Sequence, residues 1–331
     1  MNTSAQSFYS QISANRRRSV LLVLLLTAFL GFFGFVIGFA MSGGYWQGGL
    51  IATGVAVVIA MLMTSVSYFA GDSIVLATSG AREVNDQVAP QLMNVVREMS
   101  IAANVPVPKV YVINDSAPNA FATGRDPRHA SMAVTTGLLD KLDREELQGV
   151  IGHELSHVRN LDIRFALLVA VLVGSIALMA DFFLRFTFWG GMGGGRSRDR
   201  GGGGGGGLVI IAIVLGLILS IIAPIIARLV QLAVSRQREY LADASSVELT
   251  RNPYGLERAL AKISSDREVL EVANRATQHL YLVNPIKKWE SRASGLMATH
   301  PPIVDRINRL RSLTGEAPLD QQSLQALTGL D

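Results

Sequence analysis

From Ser19 to Gly71 the chain carries no charged residue. That stretch has room for two bilayer-crossing helices of about 20 residues each. The segment SGGYWQGG at 42–49 splits it: its glycines suit a turn, and Tyr45 and Trp46 suit a bilayer interface. The expected spans are Ser19–Met41 and Gly49–Phe69. Arg16, Arg17 and Arg18 precede the first, so the excess of positive charge places the N-terminus in the cytoplasm. A cleaved signal peptide is the competing reading. The apolar run is longer than such a peptide needs and leads straight into a second span. The hairpin then brings the chain back to the cytoplasm near Asp72.

Composition agrees. Of 331 residues, 49% are hydrophobic and 17% charged, against about 25% in an ordinary globular domain. There is no cysteine, which excludes disulfides and Cys-ligated metal. A net charge of +4 without a basic stripe gives no reason to expect nucleic acid as a partner.

A second apolar pair follows. Phe165–Ala180 is uncharged; extended to Trp189, the segment includes Asp181 and Arg185, spaced to pair on a helix. Leu208–Ala227 is the fourth candidate span, with Pro224 near its end. Between them lies the Gly-rich linker 190–207, whose three arginines run against the charge rule if it faces outward. Four transmembrane helices are expected; a third segment that only dips into the membrane is the alternative. The resulting organisation is a tail and first hairpin at 1–71, a cytoplasmic part at 72–163, a second hairpin at 164–228, and a second cytoplasmic part at 229–331.

Residues 72–163 read as soluble. Leu92, Val95, Val96 and Met99 mark one helical face. KVYVIND at 109–115 and ASMAVTTG at 130–137 are strand candidates; APNAFATG at 117–124 is turn-like, then extended. The fold class is mainly α with a small β-sheet, an α+β pattern.

LDREELQGVIGHELSHVRN reads as a helix with Asp143 as N-cap and Glu146 three residues on. His153 and His157, four apart, lie on one face and can bind one metal ion; Glu154 beside them can reach a water there. A chance match on a surface helix is the bland reading. Glu239 and Asp243 form a second pair four apart. Glu239 can complete three protein ligands, and Asp243 can orient a ligand histidine. The alternative is a solvated helix with an acidic face. Two crossings between the pairs return Glu239 to the compartment of the histidines.

NAFATG, GVIGHELSHVRNLD, RQREYLADASS, HLYLVNP and THPPIVDRINRL, with two hydrophobic hairpins, resemble the HtpX-type membrane zinc metalloproteases, relatives of the CAAX prenyl endopeptidase. The resemblance covers roughly residues 15–312. It implies a zincin (gluzincin-like) catalytic part with one Zn2+ held by His153, His157 and Glu239, with Glu154 as base and Asp162 in support. It also implies cleavage of misfolded or damaged membrane proteins and unfolded polypeptides on the cytoplasmic side of a bacterial-type inner membrane, in association with membrane quality-control machinery. The prenyl protease encloses a chamber with seven spans; four cannot, so a prenylated substrate is not expected.

The family also suggests His300 in THPP as the oxyanion donor, with Arg306 positioning it or the substrate; a loop histidine before two prolines is the alternative for His300. His129 and His279 read as structural. An extended substrate can pair with the edge at Asn119, Ala120, Phe121 and Ala122, unless this is a simple turn. His157 lies about 10 Å of helix from Arg164, and Glu239 about 17 Å from Arg228, which places a metal just below the membrane surface. A membrane-anchored metal-dependent scaffold without proteolytic activity is the non-enzyme alternative. Glu154 argues against it, because a structural site needs no base.

Overall fold

The computed structural model describes residues 8–168, 180–181, 184–185, 205–266, 268, 282 and 301–320. Contacts divide the chain into two units. One comprises Met1–Arg16, Tyr68–Leu167 and Gln231–Asp331; the other comprises Arg17–Ser67 and Leu168–Val230.

Most of α1 (Phe8–Met41) and of α2 (Trp46–Thr78) falls in the second unit, and they meet at a turn where Gly43 and Gly44 take φ of 75° and 93°. Only glycine enters that region without steric cost. The helices then pack closely: a Cβ on Gly38 would lie 2.4 Å from the Gly48 carbonyl oxygen, and one on Gly34 2.7 Å from the Ala56 Cβ. Small residues that let backbones approach are a common device for association in lipid. Leu50, Ile51, Val55, Val58 and Leu62 are exposed on α2, where an apolar solvent would stabilise them. Val23–Met41 and Trp46–Thr78 are long and apolar enough to cross a membrane.

Both helices overrun their expected bounds. α1 begins at Phe8, since its arginine-rich lead-in is compatible with helix. α2 continues past Asp72 to Thr78, so the boundary expected at 71/72 falls inside a helix, because a charge ends an apolar run but not a hydrogen-bond ladder. The third expected span lies largely outside the described residues. Helical backbone covers 162–168, and Arg185 Nε reaches Asp181 Oδ2 at 2.7 Å, the expected pair. The fourth lies in α6 (Gly205–Thr250), whose first turn takes in the end of the glycine linker.

The first unit holds a four-stranded mixed sheet in the order β1 (Arg82–Glu83), β2 (Lys109–Ile113), β4 (Ala130–Thr135), β3 (Ala120–Gly124). β2 and β4 are parallel; β1 on β2 and β3 on β4 are antiparallel. α3 (Pro90–Ala103) and α5 (Arg144–Arg159) pack together, after the short α4 (Thr136–Lys141); α7 (Pro253–Ser265) packs on α5, and α8 (Ile303–Thr314) on α7. The helical face read on α3 is buried at all four positions. With Leu147, Ile151 and Leu155 of α5, Leu256 and Leu260 of α7, and Ile307 of α8, it forms one core.

α5 is capped as its sequence predicts. Asp143 accepts from the Glu146 backbone, and the Glu146 carboxylate accepts from the Asp143 N–H. Buried Glu146 also takes Lys262 Nζ at 2.7 Å. Gly149 lets α5 touch α7 backbone to backbone, since a Cβ there would lie 2.6 Å from the Leu256 nitrogen. The Ser246 hydroxyl donates to the Gly149 carbonyl at 2.6 Å, tying α6 to the same turn of α5.

Candidate active site

His153, Glu154 and His157 occupy the C-terminal half of α5; Glu239 and Asp243 lie one turn apart on α6. The fold brings these groups together. His153 Nε2 and His157 Nε2 are 3.2 Å apart. Glu239 Oε2 lies 3.6 Å from the first and Oε1 3.6 Å from the second. One ligand atom from each residue lies within 4.8 Å of the others.

This donor set fits a metal. Two ligands bound at about 2.0–2.1 Å to a tetrahedral ion stand roughly 3.3 Å apart, close to the spacing of the two ring nitrogens. Their opposite nitrogens are engaged by carboxylates, as for metal-binding histidines. His153 Nδ1 meets Asp243 Oδ1 at 2.9 Å, and His157 Nδ1 meets Asp162 Oδ2 at 3.1 Å. Each tautomer is thereby set to point Nε2 at the shared point.

The electrostatics favour a cation. Burial opposes charge on His153, but hydrogen bonds to Asp243 and Glu239 outweigh it and raise its pKa to about 9. Burial also pushes the Asp243 carboxyl up, but the Arg306 guanidinium and His153 hold it below its ordinary value. Burial alone is the largest influence on Glu154 and raises its pKa, leaving the carboxylate a stronger base than one in water.

Arg306, on α8, is fully buried. Nε and Nη2 donate to the two Asp243 oxygens at 2.9 and 2.7 Å, and Nη1 donates to the Leu282 carbonyl at 3.1 Å. Nη1 also lies 3.5 Å from Glu239 Oε2. Its partners are therefore the carboxylates of the metal site rather than an open substrate surface. Burial disfavours the charge, but Asp243 more than offsets this.

The expected substrate edge is β3, at the margin of the sheet. On the β4 side the Asn119 carbonyl accepts from the Thr135 N–H at 3.0 Å, and the Asn119 N–H donates to the Thr135 hydroxyl at 2.9 Å. Phe121 is buried in a separate cluster with Ile113 and Ala133. Ala120 and Ala122 turn the other way: the Ala120 carbonyl accepts from the Leu282 N–H at 2.9 Å, and the Ala122 N–H faces the Glu154 carboxylate. His129 pairs with Asp126 at 2.8 Å. His300 and His279 lie outside the described residues. Leu282 was not foreseen, because a backbone contact leaves no mark on side-chain spacing.

The model of peptidase family M48 matches residues 86–314, which include every site residue above. This chain belongs to peptidase family M48. As a member it is a metal-dependent endopeptidase acting on peptide substrates. The Protease HtpX homolog of Caldanaerobacter subterraneus subsp. tengcongensis is 44% identical over 309 residues, covering 93% of this chain and 99% of that protein. The homolog of Listeria monocytogenes serotype 4a is 45% identical, covering 92% and 99%. A crystal structure of S. mikatae Ste24p aligns over 90% of this chain and 66% of that one, with 18% identity and a TM-score of 0.47.

Proposed function

We propose that this M48 peptidase is a zinc endopeptidase that removes misfolded or damaged membrane proteins and unfolded polypeptides at the cytoplasmic face of a bacterial-type inner membrane. The convergence of His153 Nε2, His157 Nε2 and the Glu239 carboxylate beside buried Glu154 carries this reading. Zn2+ held by these three would supply Lewis acidity toward water and the scissile carbonyl. Glu154 accepts the proton of the attacking water and passes it to the leaving amine. Asp243 and Asp162 keep the two imidazoles in register. Ala122, within reach of Glu154, aligns an extended peptide on β3, and His300 is the proposed second donor to the oxyanion.

The membrane reading joins α1, α2, the segment from 164 and the apolar part of α6 as four spans. The soluble parts after α2 and at 229–331 lie in the cytoplasm, supported by Arg16–Arg18 ahead of the first span. That location suits substrates supplied by membrane quality-control machinery.

The decisive experiment uses the full chain in detergent with casein as an unfolded substrate. Wild type should cleave, chelator should stop it, and added Zn2+ should restore it. Glu154→Gln should abolish cleavage with metal content unchanged. Wild-type turnover by that variant would remove Glu154 as the base, and cleavage insensitive to chelator would remove the metal.

A further inference from the structure

Two arginines outside the metal site converge on one aromatic ring. The Arg125 guanidinium carbon lies 5.9 Å from the Tyr68 ring centroid and 5.5 Å from that of Phe69; the Arg164 carbon lies 5.8 Å from Tyr68. The two rings meet edge to face at 5.1 Å. Arg164 Nε donates to the Arg125 carbonyl at 2.6 Å, which fixes the pair. Like charges placed this close repel unless an anion is shared. Asp126, 3.8 Å from Arg125 Nε, is a weak answer. Its carboxylate already accepts from the backbone of Arg128 and His129 and engages the His129 ring. Ring faces supply some compensation, but only a modest one.

The cluster's place in the sequence indicates the missing anion. Tyr68 and Phe69 occupy the last turn of the uncharged stretch of α2, and Phe69 is 66% exposed. Trp46, exposed at the other end of that stretch, lies about 35 Å away along the helix axis, against a hydrocarbon thickness of about 30 Å. Aromatic residues at both ends of an apolar span sit at headgroup level. Arg164 directly precedes the second uncharged stretch, which begins at Phe165. Both apolar segments therefore reach water at the two arginines. At that depth the abundant anion is a phospholipid phosphate, and guanidinium groups bind phosphate with directed paired donors.

We propose that Arg125 and Arg164, set on Tyr68 and Phe69, form a headgroup site for an anionic phospholipid. The proposal rests on the bilayer placement of α2 given above. It has a consequence for catalysis. Arg125 follows the last residue of β3, the proposed substrate edge, and Arg164 lies two residues after Asp162, which holds His157. A headgroup bound to both arginines steadies the end of that edge and the turn that supports the ligand. Cleavage therefore rises with the anionic fraction of the membrane.

The test uses the full chain in detergent, offered equal amounts of phosphatidylglycerol and phosphatidylcholine, with retained lipid read by native mass spectrometry. Wild type should prefer phosphatidylglycerol. Arg125→Gln with Arg164→Gln should lose roughly five-fold of that preference per arginine. Arg125→Lys with Arg164→Lys, which keeps the charge but not the paired donors, should retain an intermediate preference. Phe69→Ala, at an exposed ring, should weaken it about two- to five-fold. If the glutamine pair fails to fold, judged by melting and metal content, the lysine pair and Phe69→Ala decide. No preference in wild type, or an equal preference in the glutamine pair, overturns the proposal. Displacement of the lipid by 10 mM inorganic phosphate, on the order of cellular anion levels and far below what screens a bilayer surface, would make this a free-anion site and also overturn it. Release of the chain from membranes by alkaline carbonate would sink the bilayer placement itself, whereas retention without lipid preference sinks the headgroup site alone.

Discussion

His153 and His157 stand one turn apart on one helix, yet the two sides of the site are built differently. On the deep side, His153 is 1% exposed and leans on Asp243 from α6. Asp243 is gripped by Arg306 from α8, which also holds the backbone at Leu282. On the shallow side, His157 is 15% exposed and leans on Asp162, five residues on; Arg238 stands 3.4 Å from the same carboxylate. The deep brace draws on parts of the chain far apart in sequence, with every charge desolvated. Desolvated charges are held firmly only as a balanced set, so the deep brace ties metal affinity to folding. The shallow brace, closer to water, orients one ring and little else.

The largest effect belongs to the residue both sides share. Glu239→Ala should lose metal and activity together; unchanged metal content by elemental analysis would remove it from the ligand set. Next comes Arg306→Met, which leaves Asp243 and Glu239 as buried carboxylates without their cation. Breaking such a pair costs about 3–5 kcal/mol, so melting should fall steeply even in metal-free protein. A variant that melts like wild type would show that the deep brace is not structural. Smaller again is the contrast between the two supports. Asp243→Asn should lower metal affinity or activity about 10–100-fold, and Asp162→Asn should do less. Equal losses would erase the distinction between the sides.

Acid gives the finest test. The folded pKa of Asp243 lies below its ordinary 3.8. A depressed carboxylate pKa contributes stability that is fully present above the unfolded value and is lost as pH falls through the folded one. In chelated protein, the melting-temperature difference between wild type and Asp243→Asn should therefore narrow on acidification only below about pH 3.8. It should also narrow as pH rises toward 9, where His153 loses the proton that Asp243 helps to hold; a difference already narrowing as pH falls through 6 would remove Asp243 as the source.

How much of this was legible in the sequence depended on the range of the interaction. The capping box at Asp143 and Glu146, the four-residue spacing of the histidines and the buried face of α3 are local patterns, and all three are in the structure. Asp162 came from the family resemblance alone, since it lies five residues beyond His157 and past the end of α5. β1 was not legible: Arg82 and Glu83 are exposed, and two residues are too few for any alternation to signal a strand. The fixed position of Arg306 was equally hidden. Its partners Asp243 and Leu282 come from other segments, and no periodicity connects them. The expectation gave it a role in positioning His300 or the substrate; its hydrogen bonds go to Asp243 and the Leu282 carbonyl.

The split of the metal set between α5 and α6 also has a consequence for synthesis. On the ligand assignment proposed here, a ribosome delivers both histidines first and Glu239 roughly 80 residues later. At about 5–20 residues per second, that interval lasts about 4–16 seconds, and Arg306 follows later still. Throughout it, the emerging chain has two metal donors and its base but not the third donor. A half-made protease inserted beside other nascent membrane proteins is thus inert toward them, with its competence deferred until the second hairpin has been made.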